Sequence, residues 1–361
     1  MNLPTPNDSS IPTAPRSTAG YLNNFRDPIG LAKRMIFSGN RAAHWSMVRE
    51  VLRPLVMPLD VVLQVAERRA IRKAGTLSKP ILLIVGPPRS GTTVLYQLLA
   101  DALETTWFPN VSEMFPRSPI TASRVLAFKR NKSRRLRSFY GQTPGLSAPN
   151  DAFQIWNRWL GENRYEPDLL SETSKHMLQF LAAWTNMFNK PLLNKNNRNT
   201  FCLPQLHDAI PTAHFVILQR NPADIARSLI RAREFVQGEK HGPWGLASQS
   251  NHANDPLGYV DDVCEQVRLI NERISTAKQT LNVDRLTCCS YEELCDDPTT
   301  LVESIAFRSN ISLRDYTPCY DDLRRPGSRP LSAEEEVRLK TCLATMNLSE
   351  DTAKRSVSPS S

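Results

Sequence analysis

The chain has 361 residues, a formal net charge of +9, 40% hydrophobic residues and 22% charged residues. This composition is typical of a globular protein, and no apolar run reaches the roughly 18 residues that a membrane-spanning helix needs. The seven cysteines are irregularly spaced, without a Cys-x-x-Cys pair, and no histidines cluster, which predicts a reduced, cytoplasmic protein with no structural metal.

The N-terminal part of the chain predicts a tail followed by helices. Residues 1–20 are poor in large apolar side chains, and we expect disorder there. Residues 21–80 form a predicted helical extension. Apolar positions recur at helical spacing over residues 45–73, which indicates two amphipathic helices that Pro54 and Pro58 break or kink. These apolar positions form one stripe, which we interpret as packed on its own domain. Because cations lie nearby, a peripheral contact with a membrane is the alternative interpretation.

A phosphate-binding loop follows. The apolar run 81–85 has strand length, Gly86-Pro87-Pro88 ends it, and a helical pattern begins near Thr92. Backbone N–H groups at a helix N-terminus bind phosphate. A loop for nucleoside triphosphates reads G-x-x-x-x-G-K-[ST], but Thr92 stands at the lysine position and the cation lies earlier, at Arg89. The loop therefore favours a 5′-phosphate carrying one transferable unit over ATP.

Two motifs together resemble a known family. Residues 88–93, Pro-Arg-Ser-Gly-Thr-Thr, resemble the 5′-phosphosulfate loop of the sulfotransferases that use 3′-phosphoadenosine 5′-phosphosulfate (PAPS). Residues 214–228 add an apolar strand, Arg-Asn-Pro and a helix, for which Asn221 is a suitable N-cap. In that family an arginine at the strand end and a serine eight positions later hold the 3′-phosphate. The resemblance implies this role for Arg220 and Ser228.

Weaker matches extend the resemblance over residues 81–343. Residues 191–197 resemble the strand that ends in a lysine near the transferred group, although the family's usual Lys-[ST]-Pro reads Lys-Asn-Asn at Lys195. Residues 286–298 resemble a late strand ending in Tyr-Glu-x-Leu, which implies that Tyr291 lies near the nucleotide. The implied nucleotide-binding residues are Arg89, Ser90, Gly91, Thr92, Thr93, Arg220, Ser228 and Tyr291.

The resemblance also implies catalytic residues. Arg89 and Lys195 would stabilise the charge that develops during transfer. Several sulfotransferase branches place a catalytic glutamate after the second strand, and Glu113 stands there. A helix-terminal or surface carboxylate is nearly as good an interpretation of Glu113. Weaker contenders for the general base are Asp151, His176 and His207.

Strands alternate with helices over the predicted domain 81–346. Further strands are predicted at 106–110, 191–194, 214–219 and 284–289, and the tail 347–361 is expected to be disordered. The pattern predicts a three-layer, P-loop-type α/β fold with a central parallel sheet flanked by helices. Ligands of such sheets bind at the carboxyl ends of the strands, and the residues that follow strand ends are Gly86, Glu113, Lys195 and Arg220.

The predicted activity is in-line transfer of a sulfonate group from PAPS to a hydroxyl or amine, without a metal. A sugar, lipid or phenol would suit the aromatic segment 139–159, although Trp156 and Trp159 are better explained as core residues. The alternatives are a P-loop small-molecule kinase and a non-catalytic nucleotide- or anion-binding module. We interpret the basic run 129–137 as a solvated face, ahead of anion steering, and expect no nucleic-acid partner. The sequence leaves the acceptor and the oligomeric state open.

Overall fold

The structure, a computed structural model, describes residues 27–126, 138–161, 163, 165–248, 251–252, 254–315, 323 and 330–348. The predicted N-terminal tail, the basic run 129–137 and all but two residues of the predicted C-terminal tail lie outside these ranges.

The described residues form five strands and thirteen α-helices. The strands are β1 Ile81–Val85, β2 Thr106–Trp107, β3 Leu192–Lys195, β4 Ala213–Gln219 and β5 Leu286–Ser290. The helices before β3 are α1 Pro28–Phe37, α2 Arg41–Arg72, α3 Thr92–Ala102, α4 Asn110–Met114, α5 Pro119–Leu126, α6 Phe153–Leu160 and α7 Ser174–Phe188. Those after β3 are α8 Leu203–Ala209, α9 Pro222–Gln237, α10 Gly258–Thr280, α11 Tyr291–Asp296, α12 Pro298–Ser309 and α13 Ala333–Thr345.

The five strands form one sheet in the order β2-β3-β1-β4-β5, and every pairing is parallel. β1 lies at the centre, with Leu83 opposite both Asn194 and Phe215. All five residues of β1 are buried, as expected for a strand covered by helices on both faces. The predicted three-layer α/β fold is confirmed.

Alternating side chains of the strands enter two separate cores. Ile81, Leu83 and Val85 pack in the cluster that contains Trp156 and Trp159. The intervening Leu82 and Ile84 pack with residues of α3 and α12 in a second cluster. The two tryptophan rings are buried and meet edge to face with centroids 5.3 Å apart. Their prediction as core residues is confirmed.

The second predicted strand was too long. β2 ends at Trp107, and Asn110 begins α4. Pro109 has no N–H for a ladder hydrogen bond, and it forms an isolated antiparallel bridge with Pro149. The Asn110 side chain donates to the carbonyls of Thr143 and Gly145, both at 2.7 Å. These contacts with a later loop draw the chain away from β3.

The prediction of two helices over residues 45–73, broken or kinked at the prolines, was wrong in their number. α2 is one helix of 32 residues with Pro54 and Pro58 inside it. A proline has no N–H to donate to the carbonyl of the residue four positions earlier. Pro58 stands four positions after Pro54, so the carbonyl that lacks its helical donor there is that of Pro54. The prediction that the apolar stripe packs on its own domain was also wrong, because most of that stripe is exposed.

Candidate active site

The loop between β1 and α3 has the backbone of an anion cradle. Gly91 is the N-cap of α3 with φ of 101°, and no side chain caps this helix end. A side chain at Gly91 would overlap the ring of Tyr291. Only glycine therefore suits both the left-handed backbone and the close approach of the ring. The positive end of the helix dipole faces the space around this loop.

Two side chains named from sequence, Ser228 and Arg220, contact Arg89. The Arg89 Nε donates to Ser228 Oγ at 2.9 Å, and Arg220 Nη1 donates to the Arg89 carbonyl at 3.3 Å. The Arg220 guanidinium also lies over the ring of Tyr291, 4.7 Å from its centroid. These contacts join the first loop, the end of β4 with α9, and the start of α11. The tertiary structure thus brings together four of the nucleotide-binding residues that the resemblance implies.

The hydroxyl residues of the loop differ in what they contact. Ser90 is fully buried, and its hydroxyl donates to the Pro87 carbonyl at 2.8 Å, so that it holds the loop itself. The Thr92 hydroxyl donates to Asn197 Oδ1 at 3.2 Å. Thr93 and Lys195 both lie close to Gly141. A Cβ atom placed on Gly141 would stand 3.8 Å from Thr93 Oγ1 and 3.7 Å from Lys195 Nζ, so Thr93 lies beside the end of β3.

Lys195 is a buried cation at the end of β3. Burial lowers its pKa, the Asp151 carboxylate opposes that shift, and the charge of Arg89 adds to it. Burial likewise lowers the pKa of Arg89, and the neighbouring Arg220 lowers it further. Three cations therefore lie near one another at the carboxyl ends of β1, β3 and β4.

Glu113 lies in α4 and is 8% exposed. Its Oε1 accepts a hydrogen bond from the Gln154 N–H at 3.0 Å. Burial and, to a smaller extent, the Asp151 carboxylate raise the pKa of Glu113 to about 7 against the opposing charges of Arg49 and Arg53. Since the Asp151 carboxylate influences the pKa of both Glu113 and Lys195, it lies near both candidate catalytic groups.

The two histidine contenders differ in place. His207 lies on α8, where its Nδ1 is 3.2 Å from Asp208 Oδ1 and its Nε2 accepts from the Asn282 N–H. Asn282 precedes β5, so His207 is at the opposite edge of the sheet from Arg89. His176 is partly buried near the start of α7.

Sequence reasoning missed an aromatic group beside the loop. The Arg89 guanidinium lies over the ring of Tyr140, 5.0 Å from its centroid. Tyr140 stacks on Phe235 with centroids 5.2 Å apart, and Trp244 meets Tyr140 edge to face. The aromatic segment 139–159 predicts an acceptor pocket. Phe235 lies on α9 and Trp244 on the loop that follows it, and no local sequence pattern connects these two residues to that segment.

Metal ligands and membrane spans were searched over the part of the chain that the structure describes. No group of three or more His, Cys, Asp or Glu side chains there suits a metal ion. No helix there is long and apolar enough to cross a bilayer.

The fold and this loop define a P-loop-type α/β protein with an uncapped helix N-terminus and several cations at the carboxyl edge of its sheet. A family model described as "Sulfotransferase family" matches residues 80–315. The chain belongs to the sulfotransferase family. Comparison with curated proteins gives no match.

Solved structures of sulfotransferases are similar to this chain, and the first of them supports the fold. Sulfotransferase STF1 from Mycobacterium tuberculosis H37Rv is 13% identical, with 90% of this chain and 92% of that chain aligned and a TM-score of 0.52. Sulfotransferase STF9 from Mycobacterium avium is 16% identical, covering 78% and 71% of the two chains, with a TM-score of 0.45. A sulfotransferase from Alicyclobacillus acidocaldarius is 16% identical, covering 75% and 93%, with a TM-score of 0.41.

Proposed function

We propose that this protein transfers a sulfonate group from PAPS to a hydroxyl or amine of an acceptor. The observation that carries the proposal is the group of three cations, Arg89, Lys195 and Arg220, around a helix N-terminus that no side chain caps. Arg220 Nη2 lies 3.7 Å from the Asp224 carboxylate, so the group is partly compensated. Clustered cations that are wholly or partly buried are still costly unless a further anion accompanies them. A dianionic or more highly charged ligand would offset that cost.

The donor groups suit PAPS. Arg220 Nε is buried and has no hydrogen-bond partner among the described residues, and it faces the same region as Ser228 Oγ, which Arg89 contacts. Arg220 and Ser228 would bind the 3′-phosphate, while the N–H groups of Gly91, Thr92 and Thr93 would bind the 5′-phosphosulfate. Tyr291 would support Arg220 through its ring. PAPS, when bound, supplies the sulfonate that is transferred.

The catalytic roles follow from charge. Arg89 and Lys195 stabilise negative charge that develops on the phosphate side of the breaking bond. Lys195 is suited to this because burial and Arg89 make its proton easier to share than that of a solvated lysine. Glu113 takes the proton of the acceptor hydroxyl or amine. A carboxylate whose pKa is about 7 is an effective base near neutral pH.

Nucleotide choice tests the proposal. Adenosine 3′,5′-bisphosphate is expected to raise the melting temperature of the protein more than adenosine 5′-phosphate, because a ligand that binds only the folded state stabilises it. One charge-assisted bond to the 3′-phosphate contributes roughly 1.5–3 kcal/mol, about tenfold or more in affinity. Arg220→Ala should remove the preference and leave the response to adenosine 5′-phosphate nearly unchanged.

A matched control lies at the opposite edge of the sheet. Arg285→Ala should lower the melting temperature of the free protein yet keep the preference for the bisphosphate, since Arg285 contacts backbone carbonyls there. Equal shifts with both nucleotides, or the largest shift with ATP and magnesium, would favour the P-loop kinase and contradict the proposal.

The acceptor requires a second experiment. The protein is incubated with PAPS labelled in the sulfonate group and a fractionated cell extract, and the product that gains the label is identified. Nucleotide binding with the expected preference but no labelled product in any fraction would instead indicate the non-catalytic module.

A further inference from the structure

Helix α2 packs on the rest of the protein through a mixed face: Val56 and Leu63 pack against a small apolar cluster, and the carboxylates of the same face are buried. Asp60 accepts hydrogen bonds from the Arg117 N–H at 3.1 Å and from Ser118 Oγ at 2.6 Å. Glu67 accepts from the N–H groups of Ile120 at 3.1 Å and Thr121 at 2.8 Å. These donors lie at the start of α5, where helical N–H groups have no partner within their own helix. The two carboxylates therefore fix the orientation of α2 by capping another helix.

The opposite face of α2 is apolar and exposed. We name it the apolar stripe of α2. It begins near Val48, which is 47% exposed, and continues past Val62, which is 67% exposed. At 1.5 Å per residue the span from Val48 to Val65 is about 26 Å long. The stripe consists of Val48, Val51, Leu52, Leu55, Leu59, Val62 and Val65.

Cations lie at both ends of the stripe. At 100° per residue, Arg41 lies on the same face before Val48, and Arg69 and Lys73 lie on it after Val65. Arg41, Arg69 and Lys73 are exposed. Within α2, all of which the structure describes, Asp60 and Glu67 are on the buried face, while Glu50 contacts Arg49 and Arg53 beside the stripe.

This charge arrangement disfavours a second copy as the occupant. A parallel pair of α2 helices would place Arg69 and Lys73 against the same residues of the partner. An antiparallel pair would place them near Arg41. In both arrangements cations oppose cations with no carboxylate on the paired face, which costs free energy. An apolar centre between cationic ends instead complements a surface with apolar depth and anionic groups.

We propose that the apolar stripe of α2 lies in the interface of an anionic lipid membrane. The stripe enters the boundary between headgroups and acyl chains, and Arg69, Arg72 and Lys73 contact anionic headgroups, as in other interfacial amphipathic helices. The mixed face remains bound to α5 through Asp60 and Glu67. This inference is independent of the proposed reaction.

Vesicle flotation with the full chain tests the proposal. We expect binding to vesicles of phosphatidylcholine with about 30% phosphatidylglycerol, and weak binding to phosphatidylcholine alone. Binding should fall in about 1 M salt, where the Debye length is about 3 Å. Leu55→Gln with Val62→Gln should lower the affinity for anionic vesicles at least about tenfold, because apolar area leaves the interface.

The control removes equally exposed apolar side chains elsewhere. Val337 is 67% exposed on α13, like Val62, and Phe307 is 88% exposed on α12. Val337→Gln with Phe307→Gln should bind vesicles like the unmodified protein. Arg69→Gln with Arg72→Gln should lower affinity for anionic vesicles about tenfold and leave binding to phosphatidylcholine unchanged.

Two results would overturn the proposal. One is unchanged vesicle binding by the Leu55→Gln and Val62→Gln variant, with a melting temperature near that of the unmodified protein. The other is no vesicle binding by the full chain together with a concentration-dependent dimer in sedimentation that this variant loses. That second result would assign the stripe to self-association.

Discussion

Cations at the two edges of the sheet differ in what they contact. At the amino edge, Arg285 donates from Nε to the Ala213 carbonyl at 2.9 Å. Its Nη2 donates to the carbonyls of His207 at 3.0 Å and Ile210 at 2.6 Å. At the carboxyl edge, Arg89 lies near Arg220 and Lys195. The charge of Arg220 lowers the pKa of Arg89, and the charge of Arg89 lowers the pKa of Lys195.

The difference separates fold from function. Arg285 binds carbonyls near the end of α8, where the helix dipole is negative, so its charge stabilises the folded chain. The cations at the carboxyl edge repel one another in the free protein, and an anionic ligand, as proposed above, would relieve that repulsion. Substitutions at the two edges should therefore affect different measurements.

The largest expected effect is on turnover at the carboxyl edge. Glu113→Gln should lower kcat about 10²–10⁴-fold while nucleotide binding persists, because the amide cannot take a proton. In the unmodified protein the rate should rise with pH through about 7, as Glu113 ionises. Sulfonate transfer to the identified acceptor checks both. Glu303→Gln, an exposed carboxylate on α12, is the control, and near-full activity of the Glu113 variant would reject the base.

Arg89→Ala tests the cation group itself. Loss of this guanidinium should lower kcat/KM by roughly 2–4 kcal/mol of transition-state stabilisation. The melting temperature of the free protein should change little, since the lost bond to Ser228 is offset by relief from Arg220. Arg89→Lys should restore part of the activity. Unchanged catalytic efficiency would show that the loop faces another way.

Glu113→Gln should also stabilise the protein at high pH. An unfolded glutamate ionises near 4.5, whereas burial holds the folded Glu113 pKa near 7. Between these values the folded state keeps a proton that the unfolded state releases, so stability falls as pH rises. At pH 8 the variant should be more stable by about 3 kcal/mol, and at pH 5 by less than about 1 kcal/mol. Urea unfolding at both pH values measures the difference. An equal gain at both would contradict the raised pKa.

The smallest effect belongs to the amino edge. Arg285→Ala should lower the free energy of unfolding by about 1–2 kcal/mol, because three carbonyl contacts are lost from a partly exposed side chain. Its kcat/KM should match that of the unmodified protein. A stable variant with impaired turnover would remove the distinction between the edges.

Local patterns predicted the strands and the loop well. The β1 run ends at Val85 as predicted, and Asn221 caps α9 with Pro222 in its first turn. Both depend on nearest neighbours in sequence, since a strand is ended by Gly-Pro and a helix is begun by its own cap. Prediction was poorer for β2, because Asn110 binds carbonyls of residues more than thirty positions later.

The candidate site was predictable only in part. Arg89, Lys195 and Arg220 each follow a strand, and parallel strands bring their carboxyl ends to one edge. Spacing could not predict that Asp151 lies near both Glu113 and Lys195, or that Phe235 and Trp244 contact Tyr140. Those contacts join segments that are far apart in the sequence. The residues of each segment, taken alone, are compatible with several structural roles.

The sequence by itself determined the parallel α/β fold and the phosphate loop, because hydrophobic period and turn residues act over a few positions. Only the tertiary structure decided which face of α2 is buried. Periodicity showed an apolar face and favoured its burial, but Asp60 and Glu67 bind backbone donors of α5 from the other face. Those donors lie more than fifty residues away, and the hydrogen bonds they need outweigh the usual preference for apolar burial.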